Sequence, residues 1–387
     1  MIRCRNTVIM SRTYIVTGAT GFLGSRLSVA LLKQGHTLIF LGRSLGNASL
    51  KNRLLEQFAV LGYKADPRLI ETVEGDITTV DHAVFGARSV DGIWHLAANL
   101  SFKKKDRDAI YQTNVEGAKR IAELARHFNT KLFYVSTAYV HGKRTGVLLE
   151  DELIRPSAFN NPYEETKFLA EKYMREWGKK HHLLIFRPSI LIETRDLPAP
   201  YFGYYVIVAS LHKLKNTLYT FVKKKPLLAK LLGVQIISKI LSIPLPFPNS
   251  RRCTLDLVPV TWVVEWMLAL SELPPAVGKT FHLTNPHPFP FHQVILETFA
   301  ALEMSTPILT MPAFFTRLYF ELISFVGLFL YPLASLMHKI SFYESYMIDE
   351  YRHDMRNIKE LLGSMDRYRI ERGTLTVVAR RFSKRPQ

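Results

Sequence analysis

The chain predicts an α/β fold, a Rossmann-type doubly wound parallel sheet with a smaller, mainly helical substrate lobe, and three observations carry that expectation. Short apolar or β-branched runs alternate with amphipathic stretches such as residues 113–128. The first run breaks into Thr17-Gly18-Ala19-Thr20-Gly21-Phe22-Leu23-Gly24, a G-x-x-G-x-x-G turn followed at once by a helical pattern. One more strand-like run, residues 279–284, appears far downstream, so the second lobe is assembled from separate pieces.

Taken in order, Tyr14-Ile15-Val16 is the first buried strand. At the turn, Gly18 permits the bend and Gly21 lets backbone N–H groups approach a pyrophosphate. Gly24 lets the helix pack on the strand, with its positive N-terminus against the phosphates. The spacing of Leu23, Leu27, Ala30 and Leu31 is helical, and Gly35 closes that helix. Residues 36–44 form the second strand, with Arg43 at its tip. Dinucleotide folds place a carboxylate there for the ribose 2′-OH, or an arginine for a 2′-phosphate. Arg43, helped by Ser44, thus predicts NADPH; the alternative is a solvated arginine at a strand end. Residues 69–76, 92–98, 131–137 and 182–188 supply four further strands. The expected organisation is an extension over 1–12 and an NADP-binding domain over 13–191, with a returning piece near 253–284. Residues 192–252 and 285–387 make the substrate lobe.

Chemistry belongs at the C-terminal ends of the strands, where an open α/β sheet has its crevice. In Asn161-Pro162-Tyr163-Glu164-Glu165-Thr166-Lys167, Pro162 suits a helix start, and Tyr163 and Lys167 share a face at i, i+4. A phenol titrates near pH 10, and a neighbouring ammonium is expected to lower that value and poise Tyr163 as an acid–base group. Ser136 and Thr137, at a strand end, bring hydroxyls to the same crevice.

Composition limits the partners. There are 51 Lys+Arg against 33 Asp+Glu, a formal charge of +18, which attracts nucleic acid, an anionic membrane surface, or a phosphorylated cofactor and substrate. Lys223-Lys224-Lys225, Lys230 and Lys239 are interleaved with Leu227, Leu228, Leu231, Leu232, Ile236, Ile237, Ile240 and Leu241. That pattern reads as an interface-seeking amphipathic segment rather than a nucleic-acid groove, which needs stacking aromatics; the alternative is a helix over the site with a solvated lysine face. Residues 322–337 carry no charge, yet spanning needs about 20 residues and Pro332 would kink the run. A buried or monotopic hairpin is the reading, against a plain apolar lobe or a homodimer surface. Two cysteines, Cys4 and Cys253, give neither a disulfide framework nor a metal-ligand spacing. With no signal-peptide pattern in 1–12, a reducing, cytoplasmic location with peripheral membrane contact is expected, and no metal.

Jointly these stretches resemble the extended short-chain dehydrogenase/reductase family, densely over about the first 190 residues. The resemblance rests on the glycine turn, Gly75-Asp76, His95-Leu96-Ala97-Ala98, Thr113-Asn114-Val115-Glu116-Gly117, and the Tyr163/Lys167 pair. It implies that Thr137, with Ser136 the near alternative, orients a substrate carbonyl beside Tyr163 and Lys167. It also implies cofactor contacts from Gly18, Thr20, Gly21, Phe22, Leu23 and Gly24, from Asp76 and Ile77 at the adenine, from Leu96, Ala97, Ala98 and Asn114, and from Pro188, Ser189 and Ile190 at the nicotinamide. Val135-Ser136-Thr137-Ala138-Tyr139, Arg187-Pro188-Ser189-Ile190, Asp256-Leu257-Val258-Pro259-Val260 and His282-Leu283-Thr284-Asn285-Pro286 are similar to the fatty acyl-CoA reductase and thioester reductase branch. That branch implies NADPH reduction of an acyl thioester to aldehyde or alcohol. Thr261 and Ile192-Glu193-Thr194-Arg195 depart from it on the substrate side. A sterol or β-hydroxy/keto-acyl dehydrogenase, a nucleotide-sugar epimerase or dehydratase, and a non-catalytic NADP-binding protein are the alternatives.

Overall fold

A computed structural model describes residues 10–384, apart from 245, 251–252, 313, 316–317, 320 and 322–349. The apolar run 322–337 and most of the N-terminal extension therefore lie outside the described residues. Seven parallel strands form the central sheet: β1 (Thr13–Thr17), β2 (Thr37–Gly42), β3 (Ile70–Glu74), β4 (Gly92–His95), β5 (Lys131–Val135), β6 (Leu183–Pro188) and β7 (Thr280–Leu283). Their order is β7-β6-β5-β4-β1-β2-β3, all in parallel register. The order reverses between β1 and β4, which opens a crevice at their C-terminal ends. β2 to β7 each fall inside a run read from the sequence, and β1 extends the run 14–16 by one residue at each end. Residues 96–98 and 136–137 leave the sheet early, and these are the residues that line the crevice.

Side-chain alternation builds two apolar layers, because neighbours along a strand point to opposite faces. Tyr14, Val16, Phe40, Trp94, Phe133 and Phe186 face α1 (Phe22–Lys33), α2 (Leu50–Val60) and the later helix Val260–Ser271. Ile15, Ile39, Ile93, Leu132, Tyr134 and Ile185 face α3 (Gly117–His127) and α4 (Pro162–Gly178). A separate core joins α5 (Tyr204–Lys224), Phe291–Ala301 and Thr374–Ser383 through Tyr205, Val208, Ile295, Phe299, Leu375 and Phe382.

Leu257–Pro259 pairs in parallel with Ile190–Ile192 in a two-stranded sheet of their own, and β7 closes the edge of the central sheet beside β6. The last segment differs from expectation, which assigned all of 285–387 to the lobe. Tyr351–His353 pairs with Gly146–Leu148, and Met355, Ile358, Met365 and Tyr368 join the core of Trp94 and Phe281. Helix Arg356–Leu362 covers the β7 edge, and nothing in a short amphipathic segment tells which half of a molecule it will cover. The basic segment is likewise not one helix. α5 ends at Lys224, Pro226 starts a new turn over Pro226–Leu231, and Gln235–Ile237 pairs antiparallel with Ile240–Ser242. Among the described residues, no helix is long and apolar enough to cross a membrane.

Candidate active site

A cavity of about 700 Å³ opens at the C-terminal ends of the strands. Its floor is the glycine turn. Gly18 has φ +73°, and a Cβ there would lie 2.6 Å from the Ala97 amide nitrogen; a Cβ on Gly24 would lie 2.2 Å from the Gly18 carbonyl oxygen. At Gly21 the nearest such neighbour is the Gly18 oxygen at 3.1 Å. Helix α1 starts at Phe22 behind Gly21, which gives it no side-chain cap, and both residues line the cavity, so this N-terminus is a ready anion site. These residues fit a dinucleotide, with the pyrophosphate against Gly18, Thr20, Gly21, Phe22, Leu23 and Gly24.

At the β2 end, Arg43 is 74% exposed and its Nη1 lies 3.3 Å from Asp76 Oδ2. Burial opposes ionisation of Asp76, but hydrogen bonds from Thr78 and the Arg43 charge hold its carboxyl below the ordinary value. A second cation, Arg53 on α2, was not expected. It also lines the cavity, donating to the Arg43 carbonyl at 2.8 Å and to Thr20 Oγ1 at 3.4 Å. Only the packing of α2 brings it within reach of Arg43, ten positions away. Ile77, Leu96, Ala97, Ala98, Pro188, Ser189 and Ile190 all line the cavity.

Two expected contacts do not. Ser44 is exposed outside the cavity wall. Asn114 is 2% exposed and consumed by structure: Oδ1 accepts from the Asn99 amide at 2.7 Å, and Nδ2 donates to Asn99 O at 3.1 Å and Thr166 Oγ1 at 3.0 Å. It fastens the loop after β4 to α4. His95 plays a comparable part. Burial and then the Lys167 charge lower its pKa to about 3, and its Nδ1 lies 2.7 Å from Thr17 Oγ1, which accepts from the Ala97 amide.

The Asn161 side chain caps α4 by accepting from the Glu164 amide at 3.0 Å, with Pro162 at the first position. Tyr163, Lys167 and Glu171 follow on one face. Thr137 hydrogen-bonds the half-buried Tyr163 phenol. Lys167 is 3% exposed and donates to the Val135 carbonyl at 2.8 Å. Glu171 pairs with Arg187 at 2.6 Å and Arg175 at 2.9 Å, and burial is overcome by those two guanidiniums, so its carboxyl stays ionised. Ser136 also lines the cavity, and its buried hydroxyl has no hydrogen-bond partner among the described residues.

The expected lowering of the Tyr163 pKa by Lys167 is not what the environment produces. Burial pushes the phenol up, with the Thr137 hydroxyl opposing, while burial pushes Lys167 down to about 7 against the pull of Glu171. Both groups are desolvated, and each resists its charged form. Tyr163 is therefore a protonated acid at neutral pH, suited to giving a proton to a developing oxyanion.

Beyond the catalytic face the cavity turns apolar, lined by Leu100, Phe102, Leu191, Tyr201, Phe202 and Val206. Phe102 packs 6.0 Å from the Tyr163 ring, and Phe22 meets Phe202 edge-on. Outside the cavity lining stands an ion-pair clamp: Glu193, 3% exposed, accepts from Arg26 Nε at 2.9 Å and Arg195 Nε at 2.9 Å, and Arg26 Nη2 donates to Pro198 O. The departure at 192–195 thus places a buried carboxylate between α1 and the lobe. Asp256 braces the other wall, accepting from Ser189 Oγ at 2.7 Å, the Asn285 amide at 2.8 Å and His353 Nδ1 at 3.1 Å. Among the described residues, no group of three or more His, Cys, Asp or Glu could hold a metal ion.

The family model described as male sterility protein matches residues 16–267, well over half of the chain. By fold, the chain is similar to the crystal structure of the terminal R domain from the myxalamid PKS-NRPS biosynthetic pathway: TM-score 0.73, 21% identity, 96% of this chain and 89% of that chain. By sequence it is similar to a 3-beta-hydroxysteroid dehydrogenase of Mycolicibacterium neoaurum, 29% identical over 185 residues, 45% of this chain and 46% of the relative. It is also similar to a UDP-glucose 4-epimerase of Neisseria meningitidis serogroup C, 29% identical over 170 residues, 43% of this chain and 48% of the relative. The chain spans about half the length of the curated relatives it matches. With its parallel sheet, glycine turn and Tyr163/Lys167 face in that matched span, the chain belongs to the male sterility protein family.

Proposed function

We propose that this chain is an NADPH-dependent reductase of a fatty acyl thioester, carried on coenzyme A or a carrier protein, giving aldehyde or alcohol. The observation that carries the reading is one continuous cavity. A glycine-turn groove with two arginines leads to Thr137 and Tyr163, and an apolar arm continues beyond them. Arg43 and Arg53 would hold the 2′-phosphate; the apolar arm offers an acyl chain a dry channel.

When bound, the reduced nicotinamide supplies the hydride. The carbonyl oxygen lies between Thr137 and Tyr163, which orient it by hydrogen bonds. Tyr163 donates its proton as charge grows on that oxygen, and Lys167 sits behind it as the nearest cation on the helix face. Collapse of the hemithioacetal then releases thiol and aldehyde, and a second reduction gives the alcohol. Lys103, exposed at the cavity wall beside Phe102, offers a cation to the phosphate of a phosphopantetheine arm.

A sterol or β-hydroxy/keto-acyl dehydrogenase is the second reading, favoured by the same apolar arm and by the hydroxysteroid dehydrogenase relative. Following NADPH oxidation with long-chain acyl-CoAs, ketosteroids and UDP-sugars, with product identification, separates them. Oxidation with acyl-CoA and recovery of aldehyde or alcohol supports the proposal. Turnover with ketosteroid alone replaces it by the second reading, and turnover with UDP-sugar alone overturns both.

A further inference from the structure

Residues 197–255 contain seven lysines, two arginines and no Asp or Glu. Within that stretch, the unit that follows α5 is two-faced. Ala229 and Leu241 are buried, and the strand Ile240–Ser242 pairs with Met304–Ser305 in the lobe. The opposite face points into solvent: Leu227 is 84% exposed and Leu231 82%, joined by Leu228, Leu232, Ile237 and Ile240. Lys223, Lys224 and Lys225 stand at the end of α5, Lys230 lies among the leucines, and Lys239 sits in the hairpin turn. Among the described residues, only Lys215 of the seven lysines forms a salt bridge, with Glu303.

Six large aliphatic side chains on one local unit exceed the scattered apolar exposure normal for a protein surface and mark an interaction site. The charge pattern selects the partner. Nucleic acid would use the lysines but has no place for the leucines. A protein groove would take the leucines without needing a ring of uncompensated cations. An anionic bilayer surface takes both, headgroups pairing with ammonium groups while aliphatic side chains enter the acyl boundary. We infer that residues 223–240 are a mooring face for an anionic lipid surface.

Gly203 and Val206, at the start of α5, line the cavity, and the face begins where α5 ends. A helix of 21 residues is about 30 Å long. The mooring face and the cavity wall thus lie at opposite ends of α5.

Flotation of the purified chain with phosphatidylcholine vesicles, with and without phosphatidylglycerol, tests the inference. The wild type floats with the anionic vesicles at low ionic strength and loses part of that binding at high salt. Each lysine near the surface is worth roughly fivefold in affinity, so Lys223→Gln, Lys224→Gln and Lys225→Gln together weaken binding at least about tenfold. Leu227→Ser with Leu231→Ser reduces it at all salt concentrations. All five positions lie on the surface, and unchanged thermal unfolding shows that the variants are folded. Failure of the wild type to float at low salt overturns the inference, whether the face is covered by a second copy or by another part of the chain. Binding that neither set of substitutions weakens overturns it as well, because attachment then lies elsewhere.

Discussion

Tyr163 and Lys167 illustrate how burial outweighs proximity at the scale of single residues. Their shared helix face makes a cation-assisted phenolate attractive on paper, yet desolvation drives the phenol up and the ammonium down to about 7. What results is a neutral proton donor, which suits reduction better than oxidation. Tyr163→Phe keeps the ring and removes the acid, so turnover should fall by about 10²–10⁴-fold while nucleotide affinity, measured by fluorescence titration, changes little. Because Lys167 loses its charge as pH rises through about 7, kcat/KM for reduction should decline above that point. A profile flat across that region would remove the ammonium from the mechanism. At the far end of the groove, Arg43→Asp and Arg53→Ala should each raise the Kd for NADPH far more than that for NADH. Equal losses for both nucleotides would show that the two arginines hold no 2′-phosphate.

Single elements owe their positions to contacts with little tolerance. The start of α1 lies against β1 and β4 only because Gly18 and Gly24 carry no Cβ, each facing backbone that cannot yield. Gly24→Ala should destabilise the chain by about 1–3 kcal/mol and abolish nucleotide binding, readable in thermal unfolding and in titration. Gly35→Ala meets no neighbour, so only its positive φ resists, and it should leave binding intact. α4 is held from the other side by the Glu171–Arg187–Arg175 group, in which the carboxylate is fully buried. Glu171→Gln leaves two guanidiniums short of a charge partner and should destabilise by about 3–5 kcal/mol, a loss measurable by denaturant unfolding.

Across the whole molecule, one buried carboxyl group is among the contacts that stitch the C-terminal segment to the sheet. Glu150 accepts from the His282 amide at 2.8 Å and the Asn357 amide at 2.6 Å, joining β7 to helix Arg356–Leu362. Burial pushes its pKa from 4.5 up to about 8, against those two hydrogen bonds. The folded state thus holds a proton that the unfolded chain has released between about pH 4.5 and 8, so this group's contribution to stability is full below 4.5 and is lost as pH rises through 8. The thermal midpoint should fall over that window by the equivalent of about a few kcal/mol, and Glu150→Gln should flatten the fall. An unchanged slope in the variant would assign the dependence to other groups.

Strand runs, the glycine turn and the Tyr-Lys spacing are local patterns, fixed by alternation, steric need and helical pitch, and the sequence by itself determined all seven strands of the sheet, the crevice and the family. Thr20, Gly21, Thr137 and Tyr163 could be read because each belongs to a short contiguous motif. Arg53 could not, since the packing of α2 makes it a neighbour of Arg43. Nor could the structural use of Asn114, which depends on Asn99 and Thr166 meeting across a loop and a helix. The direction of the Tyr163 shift, the Glu193 clamp and the return of residues 351–368 to the sheet edge were likewise decided only in three dimensions. Desolvation and long-range pairing depend on what surrounds a residue, and the chain supplies those surroundings only once it is folded.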